Sequence, residues 1–284
     1  MKTKRVGIVG AGVMGSGIAH LVARATNCEV MLTDISEDAL AKASAYHHKY
    51  VQRMSKRKDV DADLARSVLE RVKTSLDIED LRDSQIVIEC VSEDLETKKE
   101  VFRQVEKVVP SKAILASGTS SSSITAISMA AQDPSRVIGL HFTNPAPIIK
   151  IVEIVRGMET SDETFERAEA FCKRLGKKVL VAADTPGFVV TRLGTLLFNE
   201  AACALQEGVA SAEDIDNAMK LAYNHPMGPL AVADLIGLDI VLSSLENMYK
   251  GYGDPKYRPC ILLRKLVEAG RLGRKTGSGF FEYP

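Results

Sequence analysis

The sequence has no excess of charge of either sign. Its 284 residues include 37 lysines and arginines and 37 aspartates and glutamates, which gives a formal net charge of zero. Proteins that hold nucleic acids or anionic membrane surfaces through bulk charge need a basic excess. The composition therefore gives no support for either kind of partner.

Cysteines in metal-binding or disulfide-rich spacing are also absent. None of the five cysteines forms a Cys-x-x-Cys pair, and three of them lie in strongly apolar runs. Such residues are typical of reduced core thiols in the cytoplasm. We therefore expect a cytoplasmic protein without a metal site.

Long hydrophobic runs and an N-terminal targeting segment are missing as well. No apolar run comes near the roughly 18 residues of a membrane-spanning helix, and a strand-like pattern begins already at Arg5. We expect neither a membrane span nor a signal peptide. The 284 residues, 45% of them apolar, suffice to bury the core of one large domain or two smaller ones.

A glycine-rich motif near the N-terminus organises the rest of the chain. A β-branched run precedes it, an apolar helical pattern follows it, and a second strand is predicted at Glu29–Asp34. Gly10 permits a tight turn, Gly12 lets the backbone approach a pyrophosphate, and Gly15 allows close packing of helix on strand. The helix N-terminus offers N–H groups to the phosphates. The motif predicts a βαβ unit whose dinucleotide-binding residues are Gly10, Ala11, Gly12, Val13, Met14 and Gly15.

Asp34 ends the second predicted strand, 19 residues after Gly15. There a carboxylate can accept hydrogen bonds from both ribose hydroxyls and repels a 2′-phosphate, so the sequence favours NAD over NADP. The segment from Asp34 to Glu37 also precedes a helix, and Asp34 could be its N-cap. The two roles are compatible.

Two helices are predicted between residues 37 and 72, as an excursion from the nucleotide-binding core. The first carries several basic residues near its end, among them Arg53 and Lys56. They could form a solvated helix end, where cations interact favourably with the helix dipole. They could equally hold an anionic group of a substrate, and the sequence leaves both interpretations open.

Polar residues follow two further predicted strands, Ser84–Val91 and Ala113–Ala116. Glu89 and Glu93 come near the end of the first, and a hydroxyl-rich turn, residues 117–123, follows the second. Such residues usually cap helices. Ligands of open α/β sheets, however, bind at the carboxyl ends of the strands. An acid could therefore contact the cofactor, and a hydroxyl could reach the active cleft.

His141 and Glu153 are the strongest candidates for acid–base chemistry. His141 lies near the end of the predicted strand Arg136–Phe142, and Glu153 lies among apolar residues of the next strand. A buried carboxylate needs a partner, and His141 is the natural one. The remaining histidines lie within helices or in the turn at His225 and are weaker candidates.

Strand signals end near residue 184, and only helical patterns follow. We therefore predict an α/β chain with a Rossmann-type doubly wound sheet domain, residues 1–184, and an all-helical C-terminal domain, residues 185–284. The apolar helices of the second domain favour a homodimer contact.

Together these motifs resemble the L-3-hydroxyacyl-CoA dehydrogenase family over the whole chain, and most closely its short bacterial members that act on 3-hydroxybutyryl-CoA. The resemblance rests on residues 10–15, 88–95, 119–121, 139–145, 184–188, 225–229 and 273–277. It implies an NAD-dependent oxidoreductase of fatty acid metabolism with an acyl-CoA substrate.

The resemblance also implies roles for individual residues. His141 would be the catalytic base, oriented by Glu153, and Ser120 would bond the reacting oxygen near the nicotinamide. Asp34 would hold the adenosine ribose. The rest of the cofactor site would be lined by Glu93, Lys98, Ser120, Asn144 and Lys275. The substrate's CoA phosphates would meet Arg53 and Lys56.

Two positions depart from the family pattern. Gly118 replaces the asparagine of Ser-Asn-Thr-Ser, and Thr191 replaces the asparagine of Pro-Gly-Phe-x-x-Asn-Arg. The second of these asparagines lies in the family's catalytic pocket, so Thr191 is a candidate catalytic residue here. Each change removes an amide, which offers both a donor and an acceptor. We expect these losses to affect the choice of substrate and the rate more than the hydride chemistry.

Two alternatives to an acyl-CoA dehydrogenase remain open at this point. A sister enzyme could act on a 3-hydroxyacyl group bound to a carrier protein, or on a free hydroxy acid. The basic helix favours CoA or a phosphopantetheine carrier over a free acid. The other alternative is a non-catalytic NADH-binding protein, against which the intact set of His141, Glu153 and Ser120 argues.

Overall fold

A computed structural model describes residues 3–55 and 62–284, which form two compact units. One unit ends at Asp184 and the other comprises Thr185–Pro284. The first is built on a mostly parallel sheet with flanking helices, and the second consists of helices. The fold class predicted from the sequence is thereby confirmed.

Eight strands form the sheet of the first unit. They are β1 Arg5–Val9, β2 Glu29–Thr33, β3 Val72–Ser75, β4 Ile86–Glu89, β5 Ile114–Ser117, β6 Val137–Phe142, β7 Ile151–Arg156 and β8 Lys178–Ala183. Their order is β3-β2-β1-β4-β5-β6-β7-β8, and all neighbours are parallel except β6 and β7. The order reverses between β1 and β4, which is where open α/β sheets bind their ligands.

The central strands are buried along almost their whole length. Every residue of β4, β5 and β6 is buried, and most are aliphatic. Continuous apolar runs of this kind are typical of parallel strands that helices cover on both faces. Burial on both faces makes the sheet a rigid support for the residues at its carboxyl edge.

Helices connect the strands of the first unit. They are α1 Val13–Ala25, α2 Glu37–Ser55, α3 Ala62–Arg71, α4 Leu95–Val108, α5 Ile124–Ser128 and α6 Asp162–Arg174. Side-chain caps begin several of them: Asp94 accepts a hydrogen bond from Thr97 N before α4, and Ser161 accepts one from Thr164 N before α6. These caps satisfy N–H groups that have no acceptor within the helix.

The sequence analysis does not predict β3. Its residues Val72–Ser75 include one apolar side chain, and none of the four is buried. β3 pairs with β2 at the edge of the sheet, so backbone pairing rather than side-chain burial makes it a strand. The excursion formed by α2 and α3 returns to the sheet through β3.

Five helices account for most of the second unit: α7 Val190–Gln206, α8 Ala212–Tyr223, α9 Pro229–Ile236, α10 Leu238–Tyr252 and α11 Ile261–Glu268. Their core includes Leu238, Leu245, Met248 and Tyr257, all of them buried. Within the part of the chain that the structure describes, no helix has the length and apolar character needed to cross a membrane.

Candidate active site

The glycine-rich loop between β1 and α1 leaves open space at one glycine and none at the other two. A Cβ atom on Gly10 would lie 2.6 Å from the carbonyl oxygen of Cys90, and one on Gly15 would lie 1.8 Å from that of Gly10. A Cβ atom on Gly12 would meet nothing within 4 Å. Gly12 also begins α1 without a side-chain cap. The loop therefore fits a pyrophosphate bound at the N-terminus of a helix.

Asp34 connects this loop to the start of α2. One carboxylate oxygen accepts a hydrogen bond from Ala11 N at 2.7 Å, and the other accepts one from Ser36 N at 2.9 Å. The N-cap of α2 is Ser36 rather than Asp34, because Ser36 Oγ accepts from Ala39 N. A carboxylate offers about four lone-pair sites, so Asp34 retains acceptor capacity for ribose hydroxyls.

Glu93 holds the hydroxyl-rich turn that follows β5. Its Oε1 accepts hydrogen bonds from Ser120 N at 2.8 Å, from Ser121 N at 3.1 Å and from the Thr119 hydroxyl. Burial works to raise the pKa of Glu93, but the charge of Lys98 and these hydrogen bonds outweigh burial and hold that pKa at about 2. Glu93 is therefore ionised at neutral pH and fixes the turn that carries Ser120.

Lys98 lies between two carboxylates. Its Nζ is 2.9 Å from Glu89 Oε1 and 3.0 Å from Glu93 Oε2, and its side chain is 1% exposed. The sequence analysis expects Lys98 to line the cofactor site. In the structure its ammonium contacts these two glutamates, and its role in the cofactor site stays a prediction.

His141 and Glu153 face each other across the antiparallel strands β6 and β7. They are paired in register, and His141 Nδ1 lies 2.6 Å from Glu153 Oε2. His141 is 7% exposed and Glu153 is 1% exposed, so the pair is shielded from bulk water. An acceptor at Nδ1 favours the tautomer of the neutral ring that carries its proton there. The role of His141 in proton transfer stays a prediction.

Ser120 and His141 lie at the same edge of the sheet. The parallel strands β5 and β6 pair Ser117 with Gly139, and the two candidate residues follow these partners by three and two positions. This is the carboxyl edge, at which open α/β sheets bind ligands. Asn144 follows β6 at that edge and is exposed. Cofactor contacts of Ser120 and Asn144 stay predictions.

The two predicted site residues of the helical unit lie far apart in its sequence. Thr191 is the second residue of α7 and is half-buried. Lys275 lies in a turn near the C-terminus, where its Nζ contacts both carboxylate oxygens of Asp239, at 2.5 and 2.7 Å. Their roles in binding substrate and cofactor stay predictions.

The basic residues expected to hold CoA phosphates are only partly covered by the structure. The backbone of Arg53 belongs to α2, whereas Lys56 lies outside the described residues. Both interpretations of this basic segment, a solvated helix end and a phosphate clamp, therefore stay open.

His20 of α1 and His47 of α2 form a buried pair. His20 and His47 stack with ring centroids 5.9 Å apart, and their ring nitrogens have no hydrogen-bond partner among the described residues. Burial lowers the pKa of His20 to about 3 and that of His47 to about 4. Both rings are neutral at physiological pH and belong to the packing of the helices.

Asp184 supports the site in a way that the sequence analysis misses. Its carboxylate accepts hydrogen bonds from Ile124 N at 2.9 Å, from Thr125 N at 2.8 Å and from the Ser123 hydroxyl at 3.0 Å. It thereby caps α5, which follows the Ser120 turn. No local signal could reveal this cap, because the acid and the helix are far apart in sequence.

Two family models match the chain. The model for the NAD binding domain of 3-hydroxyacyl-CoA dehydrogenase matches residues 5–185, and the model for the C-terminal domain of the same family matches residues 187–283. The first identifies NAD as the cofactor. Together the two matches cover nearly the whole chain.

Similar proteins and structures agree with these matches. The chain is 45% identical to the 3-hydroxybutyryl-CoA dehydrogenase of Bradyrhizobium diazoefficiens, over 99% of this chain and 95% of that protein. It is 41% identical to the 3-hydroxybutyryl-CoA dehydrogenase of Clostridioides difficile, over 98% and 99%. The crystal structure of (S)-3-hydroxybutyryl-CoA dehydrogenase from Ralstonia eutropha matches with a TM-score of 0.94 and 44% identity, over 100% of both chains. The chain therefore belongs to the 3-hydroxyacyl-CoA dehydrogenase family.

Proposed function

We propose that this chain interconverts a short-chain 3-hydroxyacyl-CoA, preferably 3-hydroxybutyryl-CoA, and the corresponding 3-oxoacyl-CoA with NAD as cofactor. The observation that carries the proposal is the buried His141–Glu153 pair, on the same sheet as a glycine loop that fits a pyrophosphate. A protein that only binds NADH needs no such pair. The full-length similarity to 3-hydroxybutyryl-CoA dehydrogenases supports the acyl-CoA substrate.

His141 is the proposed acid–base residue in both directions. During oxidation, Nε2 of the neutral ring takes the proton of the 3-hydroxyl group. Glu153 holds the proton on Nδ1 and stabilises the resulting imidazolium by its negative charge. During reduction, His141 returns the proton to the 3-oxo oxygen. NAD, when bound, accepts or supplies the hydride at C3.

Ser120 is proposed to bond the reacting oxygen. Glu93 fixes this residue through its backbone N–H at 2.8 Å and also lies 3.1 Å from its hydroxyl. The backbone bond persists when the hydroxyl turns towards a substrate oxygen. Glu93 can therefore hold Ser120 in place while its O–H group rotates.

The two units have separate proposed roles, NAD binding for residues 1–184 and substrate binding with homodimer formation for residues 185–284. Exposed large apolar side chains support the dimer, since a second copy would cover such residues. They include Leu193, Val209, Leu221, Ile240 and Ile261. We also propose a cytoplasmic role in fatty acid metabolism, and the five free cysteines are compatible with a reducing compartment.

Turnover of acetoacetyl-CoA with NADH tests the proposal most directly. We expect NADH to be consumed and 3-hydroxybutyryl-CoA to appear in equal amounts. If the protein turns over acetoacetyl groups on a carrier protein faster than acetoacetyl-CoA, the carrier-bound group is its substrate. If it turns over free acetoacetate faster, the free acid is its substrate. Binding of NADH without turnover of any of the three would identify a non-catalytic binding protein.

The cofactor preference gives a first quantitative prediction. The Asp34 carboxylate would repel a 2′-phosphate by about 1–4 kcal/mol at contact distance, so we expect kcat/KM to be roughly five- to thousandfold higher with NADH than with NADPH. Asp34→Ala should reduce this ratio. Asp38→Ala is the matched control, because Asp38 is an exposed acid of α2 that pairs with Lys42. An NADPH preference of the wild type would contradict the role given to Asp34.

The phosphate clamp gives a second prediction. Lys56→Glu should raise KM for acetoacetyl-CoA roughly ten- to hundredfold with little change in kcat, because a remote phosphate contact binds ground state and transition state alike. Lys42→Glu is the matched control, because Lys42 is an exposed lysine of α2. This charge reversal should leave KM for acetoacetyl-CoA unchanged. Equal KM values for wild type and Lys56→Glu would favour the solvated helix end.

A further inference from the structure

A buried cluster of three charged residues lies at the carboxyl ends of β4 and β5. It consists of Glu89, Lys98 and Glu93, with Lys98 Nζ 2.9 Å from Glu89 Oε1 and 3.0 Å from Glu93 Oε2. We propose that Glu89 gives this cluster a net negative charge that shifts the binding preference of the cofactor site towards NAD⁺ and away from NADH. Glu89 would then determine specificity for the oxidation state of the cofactor without touching it.

The hydrogen bonds around Glu89 suit a carboxylate, which accepts every contact that they make. Oε1 accepts from Val91 N at 2.7 Å and from the Lys98 ammonium, two donors that leave no place for a proton. Oε2 lies 2.7 Å from Ser117 Oγ, which itself accepts from Thr119 N. Ser117 Oγ can donate its own proton to Oε2 while it accepts from Thr119 N.

The charges of the cluster do not cancel. Two carboxylates and one ammonium leave one negative charge in excess, and Lys98 is the one cation within ion-pair distance of either carboxylate among residues 3–55 and 62–284. Lys98 suffices to neutralise Glu93 alone. Glu89 supplies the excess charge, and its side chain is only 2% exposed, so solvent screens that charge weakly.

The position of the cluster in the sheet relates this charge to one end of the cofactor. In doubly wound folds each half of the sheet binds one mononucleotide of the dinucleotide. Asp34, at the end of β2, belongs to the half predicted to hold the adenosine, whereas β4 and β5 belong to the other half. That half faces the nicotinamide, whose ring is cationic when oxidised and neutral when reduced.

A fixed negative charge on the nicotinamide side therefore favours the oxidised ring. The effect acts at a distance and needs no contact between Glu89 and the ring. This inference depends on NAD as the cofactor but not on the acyl-CoA substrate, because it concerns two binding equilibria. It predicts that the reduction potential of the bound cofactor is lower than it would be with a neutral cluster.

The test compares the Kd values of NAD⁺ and NADH for wild type and Glu89→Gln, measured by calorimetric titration without acyl substrate. Glutamine has the same shape, and its amide can donate to Ser117 Oγ, so the buried contacts are retained while the charge is lost. We expect the ratio of the Kd of NAD⁺ to that of NADH to rise roughly two- to tenfold, because a unit charge that does not touch the ring acts on it more weakly than a charge in contact. The Kd of NADH should change only a few-fold.

Glu106→Gln is the matched control. Glu106 is a half-buried glutamate whose side chain is 8% exposed and pairs with Arg136 at 2.7 Å. It lies in the last turn of α4, remote from the carboxyl edge. Its loss should lower stability without changing the ratio of the two Kd values. If Glu89→Gln does not fold, Glu93→Gln removes one negative charge from the same cluster and should raise the ratio as well.

An unchanged ratio in Glu89→Gln, or equal weakening of both forms of the cofactor, would overturn the inference. The proposed function fails separately, through absence of turnover with acetoacetyl-CoA. If the ratio of the two Kd values shifts but the protein does not turn over acetoacetyl-CoA, the role of Glu89 stands and the proposed acyl-CoA substrate is wrong. If the protein turns over acetoacetyl-CoA and the ratio does not shift, the proposed function stands and the role of Glu89 is wrong.

Discussion

His141→Gln should lose roughly 10²–10⁴-fold in kcat, the usual contribution of a positioned acid–base group. Glutamine can still fill the site between β6 and β7 and can bond to Glu153, but it cannot take or return a proton at neutral pH. The affinity for NADH should stay nearly unchanged, because the role of His141 lies in proton transfer. Steady-state kinetics with acetoacetyl-CoA and a separate NADH titration measure the two quantities.

His48→Gln is the control for this substitution. His48 is exposed on α2, so its loss should leave kcat within the error of the wild type. Turnover of His141→Gln within a few-fold of the wild type would show that the buried histidine is structural.

Glu153→Gln should lower kcat too, and it should change the pH profile in a defined direction. The imidazolium of His141 loses its counter-charge, which lies 2.6 Å away in the wild type. Reduction needs the protonated ring, so its rate should decline at a lower pH than in the wild type. If Glu153→Gln is slower but its pH profile is unshifted, Glu153 orients the His141 ring without stabilising its positive charge.

The second large effect concerns the two amides that this chain lacks relative to its family. Loss of one hydrogen bond to the substrate is worth roughly 0.5–1.5 kcal/mol, or up to about tenfold in rate, and misplacement of reacting atoms can cost about a hundredfold. Restoring both asparagines, by Thr191→Asn and Gly118→Asn, should therefore raise kcat/KM on acetoacetyl-CoA by roughly ten- to hundredfold.

The structure adds a third substitution to this experiment. A Cβ atom on Gly118 would lie 3.0 Å from the carbonyl oxygen of Glu89 and 3.3 Å from Cys90 Sγ, so Gly118→Asn alone forces its neighbours to shift. Cys90→Ala removes the contact with the sulfur, and the contact with the Glu89 carbonyl oxygen remains. We expect the triple variant, Cys90→Ala with the two asparagines, to exceed the double variant, and Cys90→Ala alone to serve as its control.

The opposite outcome has a specific meaning. If neither variant exceeds the wild type on acetoacetyl-CoA, the pocket is adapted to another substrate, one bulkier or more polar near C3. The wild type should then turn over such a substrate faster than acetoacetyl-CoA. A survey of 3-oxoacyl-CoA esters with substituents at C4 distinguishes the two cases.

The catalytic pair could be predicted from the sequence because its constraints are local. A glutamate in the middle of an apolar strand has few acceptable partners, and the preceding strand offers one histidine near its end. The register that joins His141 to Glu153 then follows from antiparallel pairing of two successive strands. The glycine-rich loop was predictable for a similar reason, since its three glycines and the following helix form one short segment.

The cluster around Glu89 could not be predicted in the same way. Lys98 and Lys99 are neighbours in sequence and look alike there, yet their side chains are 1% and 22% exposed. The helical spacing places Lys98 with the buried Phe102 and Val105 on one face of α4, but it does not show that two glutamates meet its ammonium there. The same holds for β3, whose pairing with β2 depends on where α2 and α3 return the chain.

The antiparallel pairing of β6 with β7 has an energetic consequence for the active site. The backbone ladder orients His141 and Glu153 while the chain folds, so the entropy of ordering them is lost before any substrate arrives. Their dipoles then need no reorganisation at the moment of proton transfer. Burial of the two polar groups costs solvation free energy, which the 2.6 Å contact between them offsets. The fold thus orders the proposed acid–base pair before substrate binds.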